Sequence, residues 1–372
     1  MIRLFCSRLL FRWLKQRRRP SHQPFRQVGI YKVDRLGDFV LALSAIRQIV
    51  QHEGAENCVL MISPYAEALA RREFPDVVQV QIRYEYTGAI SVWRYFRGRA
   101  MEELFCRGVN MLICLRHQRT ARENASLAAI PASQTWGTID FQPSSQASHW
   151  DRLSFDHGIS HEEPDPGEPW ELARHRTLLS HYLGRRVNHS EILPSLTPGW
   201  VPRGEFVSVA PFGSNAIRAF PRSLLVAAGR YLWHTHQLRL GLLSPPSEVP
   251  RYQELARELT EFGVPGTEVR VCASLEELIQ SISLSRLVLS VETATAHLAT
   301  AMDVPLVTLI GGGHLGWFGP WQRSKRQQWL TNPVSCGQCN WKCSQPGPIC
   351  ITGIQEGALL QAISQVLAES AA

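Results

Sequence analysis

The chain has 372 residues, a formal net charge of +7, 44% hydrophobic and 19% charged residues. That composition is globular, and about 150 residues per domain gives two domains, each with apolar material for its own core. It excludes a disordered chain, a coiled coil and a small disulfide-stapled scaffold, and no apolar run approaches the roughly 18 residues of a membrane-spanning helix.

The charge is unevenly spread. Residues 1–27 hold eight basic side chains (Arg3, Arg8, Arg12, Lys15, Arg17, Arg18, Arg19, Arg26) and no acidic one, leaving 31 basic against 32 acidic in residues 28–372. A nucleic-acid-binding body would carry a basic stripe on its folded part, so no nucleic-acid partner is expected. On a helix, Ile2, Phe5, Leu9 and Trp13 share one stripe, with Arg8, Arg12 and Lys15 on another face. Such a basic amphipathic tail can lie on an anionic membrane surface, each basic residue contributing about 1 kcal/mol. A solubilising arm, a misassigned start and a transit peptide are the alternatives. Arginines interrupt the early apolar runs before a secretory signal can form, which points to a cytoplasmic chain with reduced thiols, peripheral on the inner membrane if the tail binds. Of the nine cysteines, Cys58, Cys114 and Cys272 lie in or beside apolar runs and read as buried free thiols.

In chain order, Val28–Val33 reads as a buried strand, Asp34–Asp38 as a tight turn and Phe39–Val50 as a helix, the opening of a nucleotide-type βαβ unit. Strands are expected at Cys58–Ile62, Val77–Ile82 and Val109–Leu115, with helices at Tyr65–Arg72 and near Thr120–Ile130. Residues 140–170, rich in Pro, Ser and acids, read as a long surface loop, and His175–Leu183 as a helix ending at Gly184. Pro194, Pro198, Gly199, Pro202 and Gly204 mark residues 194–204 as an interdomain linker. A second alternating series follows: strands at Glu205–Ala210, Leu238–Leu243, Glu268–Val271, Leu287–Val291 and Pro305–Ile310, and helices at Pro221–Leu232, Val249–Phe262, Leu275–Ser283 and Thr295–Met302. Two such halves give α/β domains with parallel sheets and a ligand cleft outside the carboxyl ends of the strands.

Three βα junctions carry candidate chemistry. At Arg35-Leu36-Gly37-Asp38, glycine is expected to permit the turn; Asp38 either caps the helix or takes a proton from an attacking hydroxyl. Ala210-Pro211-Phe212-Gly213-Ser214-Asn215, followed by Arg218, offers small residues, a hydroxyl and a guanidinium ahead of a helix, which suits a phosphate; a plain loop with a solvent-facing arginine is the alternative. In Ser290–Leu298, Thr293 and Thr295 can cap a helix that presents its N–H groups to an anion, with Glu292 and His297 facing the cleft. Gly311-Gly312-Gly313-His314 would let backbone approach a ligand closely.

The Arg35–Asp38 turn paired with the late Glu292-Thr293…His297-Leu298 segment resembles glycosyltransferase family 9, the ADP-heptose:lipopolysaccharide heptosyltransferases. Arg218-Ala219-Phe220-Pro221 is similar to the family's Lys-x-Trp-Pro element, Thr120–Gly137 to its helix-and-glycine stretch and His175–Gly184 to its helix ahead of the linker, so the resemblance covers about residues 28–365. It implies a GT-B arrangement, two Rossmann-like domains facing a central cleft: an acceptor domain over 28–193, the linker at 194–204, a nucleotide-sugar domain over 205–353 and a C-terminal helix in 354–372 that packs back on the first domain. It implies inverting, metal-independent transfer, with Asp38 as general base and Arg35 and Gly37 on the acceptor side. Ser214 and Arg218 would hold the diphosphate, Thr293 and Ala294 would cap it, Glu292 and His297 would lie near the donor sugar, and Glu248 would reach the nucleoside. The chain departs from the family's Asp-Thr-Gly at Glu292-Thr293-Ala294, where the longer side chain moves the carboxylate by over about 1 Å and bears on sugar choice. Arg218 replaces the family's lysine and Phe220 its tryptophan.

Cys336, Cys339, Cys343 and Cys350 stand at metal-ligand spacing, and four thiolates suit a structural zinc or iron; free thiols or disulfides are the alternatives. The resemblance supports a metal, because related protein heptosyltransferases carry iron in such a cluster. No catalytic cofactor is expected. The partners implied are a nucleotide-sugar donor and a lipid-linked or lipopolysaccharide acceptor. The alternatives are a protein (autotransporter) heptosyltransferase and a non-catalytic nucleotide-sugar-binding protein; a nucleotide-sugar epimerase has no support from the Arg35–Asp38 turn.

Overall fold

The computed structural model describes residues 20–82, 99–117, 119, 121–139, 155–160, 162–201 and 206–370. The chain forms two compact units. Residues 1–164 and 171–192 make one, and residues 165–170 and 193–372 the other. The amphipathic reading of the tail falls outside the described residues, as do 140–154 of the expected loop and 202–204 of the expected linker. Among the described residues no helix is long and apolar enough to cross a membrane.

The first unit is built on strands β1 (Arg26–Lys32), β2 (Cys58–Ile62), β3 (Val78–Gln81), β4 (Val109–Cys114), β5 (Ala132–Ile139) and β6 (His157–Ser160). They pair in the order β3-β2-β1-β4-β5-β6, every pair parallel. Its helices are α1 (Leu36–Glu53), α2 (Glu67–Glu73), α3 (Arg99–Arg107), α4 (Ala121–Ala129), α5 (Trp170–Tyr182) and α6 (His189–Ile192). β2 is buried along its whole length, as a parallel strand covered on both faces must be. β6 runs through what reads in sequence as a loop. Only Ile159 of its four residues is buried, so an edge strand of this kind leaves no apolar run to find.

The second unit repeats the plan with β7 (Phe206–Ala210), β8 (Arg239–Ser244), β9 (Glu268–Val271), β10 (Leu287–Val291), β11 (Leu306–Leu309) and β12 (Gln327–Leu330), in the order β12-β11-β10-β7-β8-β9. Its helices are α7 (Arg222–His236), α8 (Val249–Glu261), α9 (Leu275–Ser283), α10 (Ala294–Ala301), α11 (Ile349–Thr352) and α12 (Glu356–Glu369). Each lies within four residues of its sequence-expected span where one was expected. The C-terminal helix α12 packs on α7, β11 and β12 of its own unit, burying Leu359, Ile363 and Val366. Residues 194–201 are tied down on the same unit. Leu196 and Trp200 N–H groups donate to Ala301 and Met302 carbonyls, and the Trp200 indole to Ser285.

Both sheets are doubly wound with the order reversing beside their first strand, which places ligand crevices at the carboxyl ends of β1 and β4, and of β7 and β10. Each unit is thus a doubly wound, Rossmann-like α/β domain.

Candidate active site

At the carboxyl end of β1 the turn is made by residues 33–35, not by glycine. Arg35 is the N-cap in extended conformation (φ −70°, ψ 164°), and Gly37 is the second residue of α1. Asp38 follows in that first turn, half-buried, where the helix dipole favours a carboxylate. The expectation that Gly37 makes the bend is therefore corrected.

Beside it lies a buried ionic cluster that sequence reading misses. Lys32, the last residue of β1, is fully buried. Its Nζ lies 2.7 Å from Glu171 Oε1 and 3.0 Å from Asp34 Oδ2, and it donates to the Leu115 carbonyl at 3.1 Å. Asp34 also pairs with Arg116, which pairs with Glu123 at 2.7 Å. Burial is the largest influence on the Glu171 carboxyl and would raise it, but Lys32, His175 and Arg174 together outweigh it and hold it below its ordinary value. His175 is pushed down to about 4, chiefly by burial and then by Lys32. His117, Glu171 and His175 are the one group among the described residues whose ligand atoms all lie within 4.8 Å of one another. Lys32 already supplies that group with its cation. The signal available in sequence was a lysine inside the apolar run Val28–Val33.

In the second unit, the loop after β7 folds back on itself. Phe212 bridges Ala219, Gly213 N–H donates to the Arg218 carbonyl at 2.7 Å, and Arg218 N–H to the Asn215 carbonyl at 2.9 Å. A Cβ on Gly213 would come within 2.8 Å of the Arg218 Cβ, so only glycine lets the arginine lie against the loop. The Arg218 guanidinium is thereby aimed at the end of β10. Its Nη1 donates to Glu292 Oε2 at 3.0 Å and to the Glu292 carbonyl at 3.1 Å, and its Nη2 to Ser214 Oγ at 2.6 Å. Ser214, Arg218, Glu292 and His297, far apart in sequence, thus meet in one cluster.

Glu292 and His297 are expected to face the cleft, but they are 5% and 1% exposed. The Glu292 carboxylate is drawn inward because its donors are there: Arg218, His297 Nε2 at 3.4 Å and His314 Nδ1 at 3.4 Å. Burial opposes its ionisation, yet the hydrogen bonds from His297 and His314 hold it well below the usual carboxylate range. Thr293 is the N-cap of α10, but its side chain makes no capping bond; its Oγ1 lies 3.3 Å from Ser290 Oγ. Ala294 begins the helix. Glu248 follows β8 and pairs with Arg251 at 3.3 Å, and Arg251 lies over the Phe212 ring. It shares the carboxyl edge of the sheet with the Arg218 loop.

The Gly311–Gly313 run does not stand open for a ligand. A Cβ on Gly311 or Gly313 would come within 2.5 and 2.7 Å of the Trp341 ring, so the glycines make room for the cysteine loop. His314, Trp321 and Trp341 are site residues that sequence reading leaves unassigned. Only His314, next to the glycine triplet, carries a visible signal.

Cys336, Cys339, Cys343 and Cys350 line one small cavity together with Gly312, Trp341 and Ile217. All four are free thiols. Four soft donors around a shared space fit a thiolate-bound metal ion, although the sulfurs are not drawn together as closely as the ligand atoms of His117, Glu171 and His175.

Residues 230–345 match the sequence profile of glycosyltransferase family 9 (heptosyltransferase). That match covers about a third of the chain. Solved structures share the fold across both units. The Escherichia coli heptosyltransferase WaaC with ADP-2-deoxy-2-fluoro heptose aligns with a TM-score of 0.60 at 18% identity, over 91% of this chain and 99% of WaaC. A family 9 glycosyltransferase from Veillonella parvula aligns at 0.65 and 13% identity, over 94% and 99%. The iron-containing dodecameric glycosyltransferase TibC of enterotoxigenic E. coli aligns at 0.53 and 12% identity, over 95% and 78%. No curated protein sequence matches the chain. The family 9 match spans Glu248 and the Glu292–His297 segment and ends inside the cysteine loop; the chain is a glycosyltransferase.

Proposed function

We propose that this glycosyltransferase moves a heptose from an ADP-sugar to a lipopolysaccharide-core or related acceptor, with inversion and without a catalytic metal. The observation that carries the reading is the Arg218–Glu292 pair at the end of β10, with Ser214 bonded to the same guanidinium. A nucleoside diphosphate leaves with its charge on the phosphates, and a cation held in place before reaction stabilises that charge without reorganisation. Arg218 and Ser214 hold the diphosphate, and the first N–H groups of α10, at Thr293 and Ala294, receive its oxygens. Glu292 and His297 act through Arg218 rather than by direct grip, and Glu248 receives the nucleoside.

In the transfer itself, Asp38 accepts the proton of the acceptor hydroxyl as that oxygen attacks the anomeric carbon. The bond from that carbon to the diphosphate breaks with its electron pair going to the leaving group. Arg35 and Gly37 line the acceptor side. The excess of basic residues in 1–27 suits an anionic acceptor held at the inner face of a membrane. Titration calorimetry against ADP-, UDP- and GDP-sugars tests the donor: ADP-heptose should bind at least about tenfold more tightly than the others, a difference of about 1.4 kcal/mol. Preference for a uridine or guanosine donor rejects it.

A second reading changes the acceptor to a protein, and the cavity shared by four thiols favours it. TibC, described as iron-containing, is a structural neighbour. In this reading Cys336, Cys339, Cys343 and Cys350 hold a zinc or iron ion that fixes their loop and takes no part in transfer. Elemental analysis of anaerobically purified protein should find one equivalent, lost on Cys336→Ser; protein without either metal removes the reading.

A further inference from the structure

Two indoles bracket the Glu292 carboxylate. Trp321 Nε1 donates to His297 Nδ1, and Trp341 Nε1 to His314 Nε2, each at 3.0 Å. An indole N–H donates and never accepts, so each imidazole uses that nitrogen as an acceptor and carries its hydrogen on the other. Those other nitrogens, His297 Nε2 and His314 Nδ1, are the ones directed at Glu292. Each tryptophan thus favours the same tautomer as the carboxylate that holds Arg218, which when ionised can only accept.

Trp341 is the more informative of the two because it belongs to the cysteine loop. It has φ 62°, and Gln338 and Asn340 are also left-handed at 60° and 47°, a conformation unfavourable for residues with a Cβ. Backbone bonds from Gln338 to the Gly312 carbonyl (2.6 Å) and from Asn340 to the Gly313 carbonyl (3.3 Å) hold the loop in that shape. The indole lies against Gly311 and Gly313, and the Arg218 guanidinium is 5.4 Å from its ring centroid. One side chain therefore touches the four-thiol cavity, the glycine run, His314 and Arg218.

We propose that Trp341 is a positioning residue of the diphosphate site: by fixing His314 with its hydrogen on Nδ1 it holds Glu292, and Glu292 holds Arg218, so that the cysteine loop sets the geometry of the phosphate grip. The proposal rests on the reading that Arg218 receives the donor diphosphate. It gives the cysteine loop a role at the reaction site rather than at the edge of the unit.

Two variants break the bond from Trp341 to His314 by different routes. Trp341→Phe keeps an aromatic ring and removes the N–H. Gly313→Ala keeps the N–H and displaces the ring. Nitrogen-15 spectra of histidine-labelled protein report the His314 tautomer directly, and calorimetry reports ADP affinity. Both variants should turn a single Nδ1–H signature into a mixture of tautomers or a protonated ring, and bind ADP about three- to tenfold more weakly. If Trp341→Phe does not fold, Gly313→Ala carries the test. An unchanged tautomer with unchanged ADP affinity overturns the proposal. Wild-type protein that fails to bind ADP overturns the proposed function instead, and the tautomer still decides whether Trp341 fixes His314.

Discussion

An Asp38→Asn variant should lose about two to four orders of magnitude in kcat and bind ADP as the wild type does. General-base catalysis by a placed carboxylate is worth that much, and an amide of the same shape cannot take the proton. Asp38 lies in the first turn of α1, in the first unit, whereas the groups assigned to the diphosphate, Ser214 and Arg218, belong to the second. The substitution should therefore separate chemistry from donor binding. Single-turnover kinetics with donor in excess, alongside calorimetry with ADP, measures both. Turnover within about tenfold of wild type would remove Asp38 from the mechanism, and a parallel loss of ADP affinity would make it a structural residue.

The second large effect is on stability. Replacing Lys32 with methionine should destabilise the first unit by about 3–5 kcal/mol, the usual consequence of removing one partner from a buried ion pair. Its ammonium is the shared partner of Glu171, Asp34 and the Leu115 carbonyl, with the Lys32 and Glu171 side chains both buried. Without it the Glu171 carboxylate is left buried with its main counter-charge gone. Adding Glu171→Leu should restore part of the loss, since an apolar pair needs no desolvation. Denaturant titration gives both numbers. A change below about 1 kcal/mol in the single variant would mean that Arg116 and Arg174 carry the compensation instead.

The cysteine loop shows how one feature divides between sequence and structure. Its spacing alone announces a shared site for four thiols, and the fold does bring all four around one cavity. Nothing local announces that Trp341, standing between Cys339 and Cys343, reaches His314 and Arg218. The glycine triplet misleads in the same way. Its small residues correctly signal a close approach, but what approaches is an indole from the same chain.

Sequence by itself determined the alternation of strands and helices, the division into two α/β units and the places where loops leave the carboxyl ends of strands. Strands such as β2 and β10 are buried on both faces, so their apolar runs are written locally. The two segments that resemble family 9 are local for the same reason, being short turns at strand ends. The tertiary structure decided the rest. The edge strands β6 and β12 are half-exposed and exist only through pairing with a neighbour already in place. Lys32 meets Glu171 across 139 positions, and Arg218 meets Glu292 across 74. A buried charge must find its partner wherever packing provides one, and that choice belongs to the folded arrangement, not to any stretch of sequence.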